Sequence, residues 1–205
     1  MSRRFLLSIT TAALITGSAC SLVFAAPSTA PDAAPSGTYT LDKSHANIIF
    51  NLSHMGYSRY FGRFNALDST IIWDAKDPTK SKLDVTVDMA SIDTNNKTLY
   101  DELVGDKWFD VKQFPTATFT STKVEKTGTN NGKVYGNLTL HGVTKPVTLD
   151  VTFNGGGMNA FMNTEELGFS ATTNINRSDF GVSNGVPMVG DAVALTIEAE
   201  YFHKK

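Results

Sequence analysis

With 205 residues, 41% of them hydrophobic, the chain is long enough to bury one sizeable core. Its formal charge of −2 leaves no basic surplus for a nucleic acid or an anionic membrane face. Cys20 is the single cysteine, so no internal disulfide is available and the fold rests on burial.

Residues 1–25 read as a cleaved signal peptide. Arg3 and Arg4 form a positive n-region, Phe5 to Phe24 an apolar run, and Val23-Phe24-Ala25 a cleavage site. Hydroxyl-bearing residues from Ser8 to Ser21 interrupt the run, which weighs against a retained transmembrane helix. Arg3-Arg4 is followed directly by Phe5, without the spacer of a twin-arginine signal. Gly17-Ser18-Ala19-Cys20 has Gly17 where a lipoprotein box carries a Leu-like residue, so lipid anchoring at Cys20 is the weaker reading. Cleavage after Ala25 removes two of the 18 basic residues and leaves 16 against 20 acidic ones, a balance of −4. The expected destination is a bacterial periplasm. Residues 26–37, rich in Pro, Ala and Ser and without a periodic apolar face, read as a flexible leader, and the domain is expected over 38–205.

From Thr38 onward the dominant period is two. Ala46, Ile48, Phe50, Leu52 and His54 share a parity, and Met55-Gly56-Tyr57-Ser58 reads as a turn. Arg59 to Trp73 predicts a second strand, with a bend near Gly62 bringing Phe61 and Phe64 into line with Leu67, Ile71 and Trp73. After the turn at Asp77-Pro78, Leu83, Val85, Val87 and Met89 alternate with Asp84, Thr86 and Asp88. The period then changes. Thr98 to Asp101 reads as a helix start, Leu99 and Leu103 are four apart, and Gly105 is a stop. Trp108, Phe109, Val111 and Phe114 follow, and this insert is expected to plug or cap one end of the sheet.

Strand character returns at Ala117, Phe119 and Ser121. Next comes the clearest hairpin in the chain. Val134, Leu138 and Leu140 align before His141-Gly142, and Val143, Val147, Leu149, Val151 and Phe153 align after it. Asn154 to Gly157 reads as a flexible loop. Leu167, Phe169, Ala171, Thr173 and Ile175, then Val193, Leu195, Ile197, Ala199 and Tyr201, complete two further strands. About eight strands with short turns and no βαβ rhythm predict an all-β, eight-stranded antiparallel barrel with one short inserted helix. Such a ring encloses room for side chains or for one small ligand.

Six stretches carry a resemblance over roughly Tyr39 to Phe202. They are Leu41-Asp42-Lys43-Ser44-His45, His54-Met55-Gly56-Tyr57, Ser91-Ile92-Asp93-Thr94, Phe114-Pro115-Thr116-Ala117-Thr118-Phe119, Gly136 through Pro146, and Asn176-Arg177-Ser178-Asp179-Phe180-Gly181. In this order they resemble the YceI-like polyisoprenoid-binding family of exported bacterial proteins. The resemblance implies a lipocalin-like barrel whose lumen takes a long isoprenoid or other lipid tail, with no reaction and no metal. Gly155 to Asn163 departs from the family, whose members often have a Trp-containing turn where this chain has glycines with Met158, Phe161 and Met162. The shape of one barrel mouth is therefore in question.

Chemistry gives little competition. The segment after Ala25 has no cysteine and no Gly-x-Ser-x-Gly elbow, and Ser170 stands in mid-strand. His45 and His54, nine residues apart, would lie about 30 Å apart on opposite faces of one strand, so no metal site is expected. No catalytic residue and no cofactor is assigned. The ligand-binding set is expected to be Phe50, Leu52, Phe64, Trp73, Val85, Val87, Phe119, Leu149, Phe169, Ile175 and Leu195 along the lumen. Leu99, Leu103, Trp108 and Phe109 would cover one end, with His54, Arg177 and Phe180 at the rim. Arg177 has two readings, a pair with Asp179 that ties the loop to the wall, or recognition of a head group.

The leading expectation is a periplasmic carrier for an isoprenoid, quinone-like or fatty tail, with only transient membrane contact for lipid exchange. A homodimer stays open. An envelope stress-response or interaction module with a filled core is the alternative. A hydrolase or isomerase using His54, Arg177 and Asp179 is the remotest.

Overall fold

The computed structural model describes residues 26–204. The expected signal peptide and Cys20 lie outside the described residues. The described chain forms β1 (Gly37–His54), β2 (Ser58–Phe64), β3 (Leu67–Trp73), β4 (Lys82–Asp88), β5 (Ile92–Asp93), α1 (Lys97–Leu103), β6 (Thr116–Lys126), β7 (Asn131–Leu140), β8 (Val143–Asn159), β9 (Thr164–Asn176) and β10 (Ala192–His203).

The ring closes because β10 pairs with β9 on one side and β1 on the other, with Phe50 opposite Leu195 and Tyr39 opposite His203. β2 and β3 both run along β1, with Phe64 opposite Ile48 and Thr70 opposite Thr40. β5 and β4 repeat this division one place further round the wall. Counted as courses, the ten segments make the expected closed eight-stranded antiparallel barrel, lipocalin-like, with one α-helix among the described residues.

The expected bend near Gly62 is not there. β2 is continuous through Gly62, and the break falls at Asn65–Ala66. Phe64 and Leu67 are three apart yet both pack inward, so one residue must drop out of the alternation between them. Phe61 stays on the outside at 59% exposure. Gly62 serves a different purpose, since a Cβ there would lie 2.3 Å from Phe50 Cζ, directly across the ladder. The turn at His141-Gly142 is as expected. Both residues have positive φ, 50° and 75°, and they join Leu140 to Val143 as a two-residue hairpin. The helix starts earlier than Thr98, because Asn96 caps it by accepting from the Leu99 amide at 3.1 Å.

Two segments expected to be flexible are built into the wall. Asn154 to Gly157 continues β8, with Gly155 paired to Gly168 across a register shift. The leader crosses the barrel end that holds the β3–β4, β6–β7 and β8–β9 turns. Ser28 exchanges backbone bonds with Gly156, at 3.1 and 2.9 Å. Trp73 Nε1 donates to the Pro31 carbonyl at 3.3 Å, and Tyr39 Oη to that of Pro35 at 2.8 Å. Ala34 is fully buried among Tyr39, Ile71, Trp73, Phe153, Leu167 and Tyr201. Small Ala and Pro side chains let the strand-free backbone lie flat on the aromatic floor, which produces order with no period to read. This end is called the floor below, and the opposite one, carrying α1, the helix end.

Burial pushes the Tyr39 phenol up to about 12, with the Glu165 carboxylate adding to the shift. Burial also raises Tyr201, against a smaller opposing bond from Ser69. A phenol raised on folding leaves stability intact below its unfolded value, near 10, and loses it as pH climbs through the folded value. Ultraviolet titration of the folded protein is expected to show two of the six tyrosines ionising late, and Tyr39→Phe to remove one late component. Six tyrosines ionising together would contradict the buried floor.

Candidate ligand cavity

The inward side chains do not fill the barrel. Two cavities lie end to end, about 240 Å³ toward the floor and about 310 Å³ toward the helix end. Ile48, Val87, Ala117, Leu138 and Leu195 line both and form a waist between them. These five are aliphatic, so the boundary between the two cavities carries no polar group.

Trp73, Val85, Phe119, Leu149 and Phe169 line the floor cavity, with Val87 and Leu195 at the waist. Trp73, Phe153 and Phe169 form a packed aromatic group, with Trp73 stacked on Phe153 at 5.4 Å between centroids. The hydroxyls on this wall are internally satisfied. Ser69 Oγ donates to the Asp84 carbonyl at 2.8 Å and lies 3.0 Å from Tyr201 Oη, while Thr173 Oγ1 donates to the Thr148 carbonyl at 2.8 Å. A paired hydroxyl makes no demand on a ligand, so the wall behaves as apolar surface.

Phe50, Leu52, His54, Phe64, Leu99, Leu103, Trp108, Phe109, Ile175 and Arg177 line the helix-end cavity. The helical insert covers this end as expected. Leu99, Leu103, Trp108 and Phe109 pack with Phe50, Ile92 and Val193. Sequence reasoning missed the rim groups Tyr60, Thr94 and Glu102, and missed Val182 and Val189 from the loop after β9. That loop has no period, so parity could not find them. Tyr60 Oη donates to the Thr94 carbonyl at 3.2 Å, closing the rim between the β1–β2 hairpin and the helix approach.

Two expectations need correction. Phe180 lines neither cavity. It is buried in the wall with Met89, Ala117 and Leu140, and its carbonyl accepts from His141 Nδ1 at 3.2 Å. Arg177 and Asp179 do not share a side, because β9 ends at Asn176 and Arg177–Phe180 forms a 3-10 turn. Asp179 is exposed, whereas Arg177 is only 4% exposed.

The guanidinium is spent on backbone carbonyls. Nη1 donates to Val182 at 2.7 Å, Nη2 to Val189 at 2.8 Å and Nε to Gly190 at 3.0 Å, and its plane lies over the Trp108 ring at 5.1 Å. Burial draws its pKa down, with Asp191 opposing the shift. Arg177 therefore does tie the loop to the wall, as one of its two readings held, but through carbonyls.

On the outer wall, where the β1 register slips between Leu41 and Ala46, Asp42, His45 and Glu200 offer ligand atoms within 4.8 Å of one another. His45 Nδ1 lies 2.7 Å from Asp42 Oδ2 and 3.6 Å from Glu200 Oε2. The bond to Asp42 and the Glu200 charge raise the imidazole pKa. The group behaves as an exposed ion-pair cluster. The comparison of His45 with His54 alone could not have found it, since Glu200 comes from the far end of the chain.

Residues 39–201 match the family model described as a YceI-like domain. A UPF0312 protein of Pseudomonas putida strain W619 is 39% identical over 169 residues, covering 82% of this chain and 87% of its own. Among solved structures, the Campylobacter jejuni YCEI protein is 36% identical with a TM-score of 0.68, over 82% of this chain and 98% of that one. A polyisoprenoid binding domain from Saccharophagus degradans, implicated in plant cell wall breakdown, shares the fold. Its TM-score is 0.63 at 18% identity, over 81% of this chain and 98% of its own.

Arg177→Ala would leave one buried and two half-buried carbonyls without donors, at a cost of about 3 kcal/mol. The urea midpoint is expected to fall accordingly, and Arg177→Lys to recover only part of the loss, because an ammonium lacks the planar fork. An unchanged midpoint for Arg177→Ala would show that the loop is held by other means.

Proposed function

The chain belongs to the YceI-like family, and from that premise we propose that it carries a single long-chain isoprenoid, quinone-like or fatty molecule, tail inward, in the periplasm. The observation that carries this reading is the pair of neighbouring apolar cavities, which share five aliphatic lining side chains. Polar side chains border both ends, with His54, Tyr60, Thr94 and Glu102 at the helix-end cavity and Lys126, Asn130 and Asn131 at the floor cavity. Between them the buried hydroxyls of Ser69 and Thr173 are bonded to the protein itself.

The energetics are adequate. Each buried methylene contributes about 0.8 kcal/mol, so roughly ten carbons give on the order of 8 kcal/mol before association costs. Polar contacts then select among ligands and do not drive binding. The polyisoprenoid binding domain of Saccharophagus degradans supports the same class of cargo through its shared fold. Export is supported by the signal-like residues 1–25. A non-catalytic role is supported by Arg177, whose donors are committed to carbonyls, and by Asp179, which stands outside both cavities.

Extraction of protein purified from its own host is expected to yield one long-chain lipid per chain, seen by native mass spectrometry. Val87→Trp, at the waist, is expected to weaken uptake of a long-chain fluorescent probe at least tenfold while leaving thermal stability nearly unchanged, since the indole enters open space. A filled core would instead lose stability through overpacking. Repeated recovery of empty protein that takes up no added long-chain ligand would end the carrier reading.

A further inference from the structure

The β1–β2 hairpin tip and the loop after β9 meet beside the helix-end cavity, whose lining includes His54 and Val189. Met55 N donates to the Met188 carbonyl at 2.7 Å, Gly190 N donates to that of Ser53 at 2.7 Å, and His54 pairs with Val189. Arg177 fixes the loop from behind through the Val182, Val189 and Gly190 carbonyls. Two distant segments thus form one supported ridge.

Its outward side chains are apolar. Met55 is 46% exposed, Tyr57 89%, Val186 37% and Met188 57%. Residues 53–58 and 184–190 include no Asp, Glu, Lys or Arg. Their side chains lie adjacent in sequence to His54 and Val189, which line the cavity. Exposed apolar clusters of this kind add nothing to the fold and mark contact surfaces.

We propose that this ridge docks the protein on a lipid bilayer, with Met55, Tyr57, Val186 and Met188 entering the interface so that the cavity mouth opens onto the membrane. The inference rests on the carrier reading, and the position of the ridge argues for a bilayer as its occupant. It flanks the cavity that would hold a water-insoluble cargo, because His54 and Val189 belong to that cavity's lining, and a bilayer seated on the ridge would lie beside that chamber. Methionine adapts to irregular apolar surroundings, and tyrosine suits a boundary that is dry on one side and wet on the other. The charge-free ridge and the expected balance of −4 after cleavage favour a zwitterionic bilayer over an anionic one, with little dependence on salt.

Lipid-free full-length domain (residues 26–205) is mixed with phosphatidylcholine vesicles and floated at low and high salt. Transfer of a long-chain fluorescent lipid from the vesicles is followed in parallel, and uptake of a water-soluble fluorescent fatty-acid analogue serves as the control. Wild type is expected to co-float at both salt levels. Met55→Asp with Met188→Asp is expected to cut flotation and transfer at least fivefold, with unchanged melting and unchanged uptake of the soluble analogue. Met55 has φ 51°, a left-handed conformation that Asp tolerates, so the test is mild on the fold. Wild type that fails to float, a variant that floats equally, or binding abolished by salt would overturn the docking proposal, and the carrier reading would stand if soluble uptake persists. Ridge-dependent dimerisation without flotation would overturn it in favour of a second copy. Flotation that depends on the ridge, with no uptake of either probe, would uphold the docking surface and end the carrier reading.

Discussion

The closure of β10 onto β1 constrains everything else in this molecule. Once the ladder joins Phe50 to Leu195 and Tyr39 to His203, the radius is set by eight courses, and every second side chain must point at a common axis. What happens on that axis depends on side-chain length. Toward the floor, Trp73, Phe153 and Phe169 meet and pack. At the helix end, Phe50, Phe64 and Phe109 do the same beneath the insert. Between these aromatic groups, Val87, Ala117 and their neighbours line both cavities. The internal space follows from this distribution of lengths and needs no special chemistry.

Most of the wall was legible because the alternation of two is a local signal. Val134, Leu138 and Leu140 announce a face with no knowledge of what they face, and the same holds for Leu167 through Ile175. The parity of a strand does not reveal where the chain drops a residue, so the break at Asn65–Ala66 was misplaced to Gly62, whose actual role is to make room for the Phe50 ring. The leader was misread for a related reason. Pro31, Ala34 and Pro35 pack as irregular backbone against aromatic side chains distant in sequence, and such contacts leave no period.

The site was legible in its lining and illegible in its polar wiring. Residues on the strands and in the aromatic insert fall along the cavities because inward parity and burial are one property. Arg177 shows the limit. Its partners are the carbonyls of Val182, Val189 and Gly190, groups that every residue has and that no sequence pattern displays. Asp179 was the visible anion nearby, and a strand would have placed it on the same side. The 3-10 turn that begins at Arg177 rotates it away. Phe180 was expected at the rim of the ligand site and instead belongs to the wall.

The floor is made by residues that do not belong to the ladder. Pro31 lines the lower cavity from a segment held by one backbone bridge and three side-chain bonds, so part of the chamber's boundary comes from outside the sheet. Barrel and base share one core, since Ala34 of the leader is buried among Tyr39, Trp73, Phe153 and Leu167 of four different strands. A segment with no period of its own thus serves as a wall of the chamber, as a stopper completes a vessel it is not cut from.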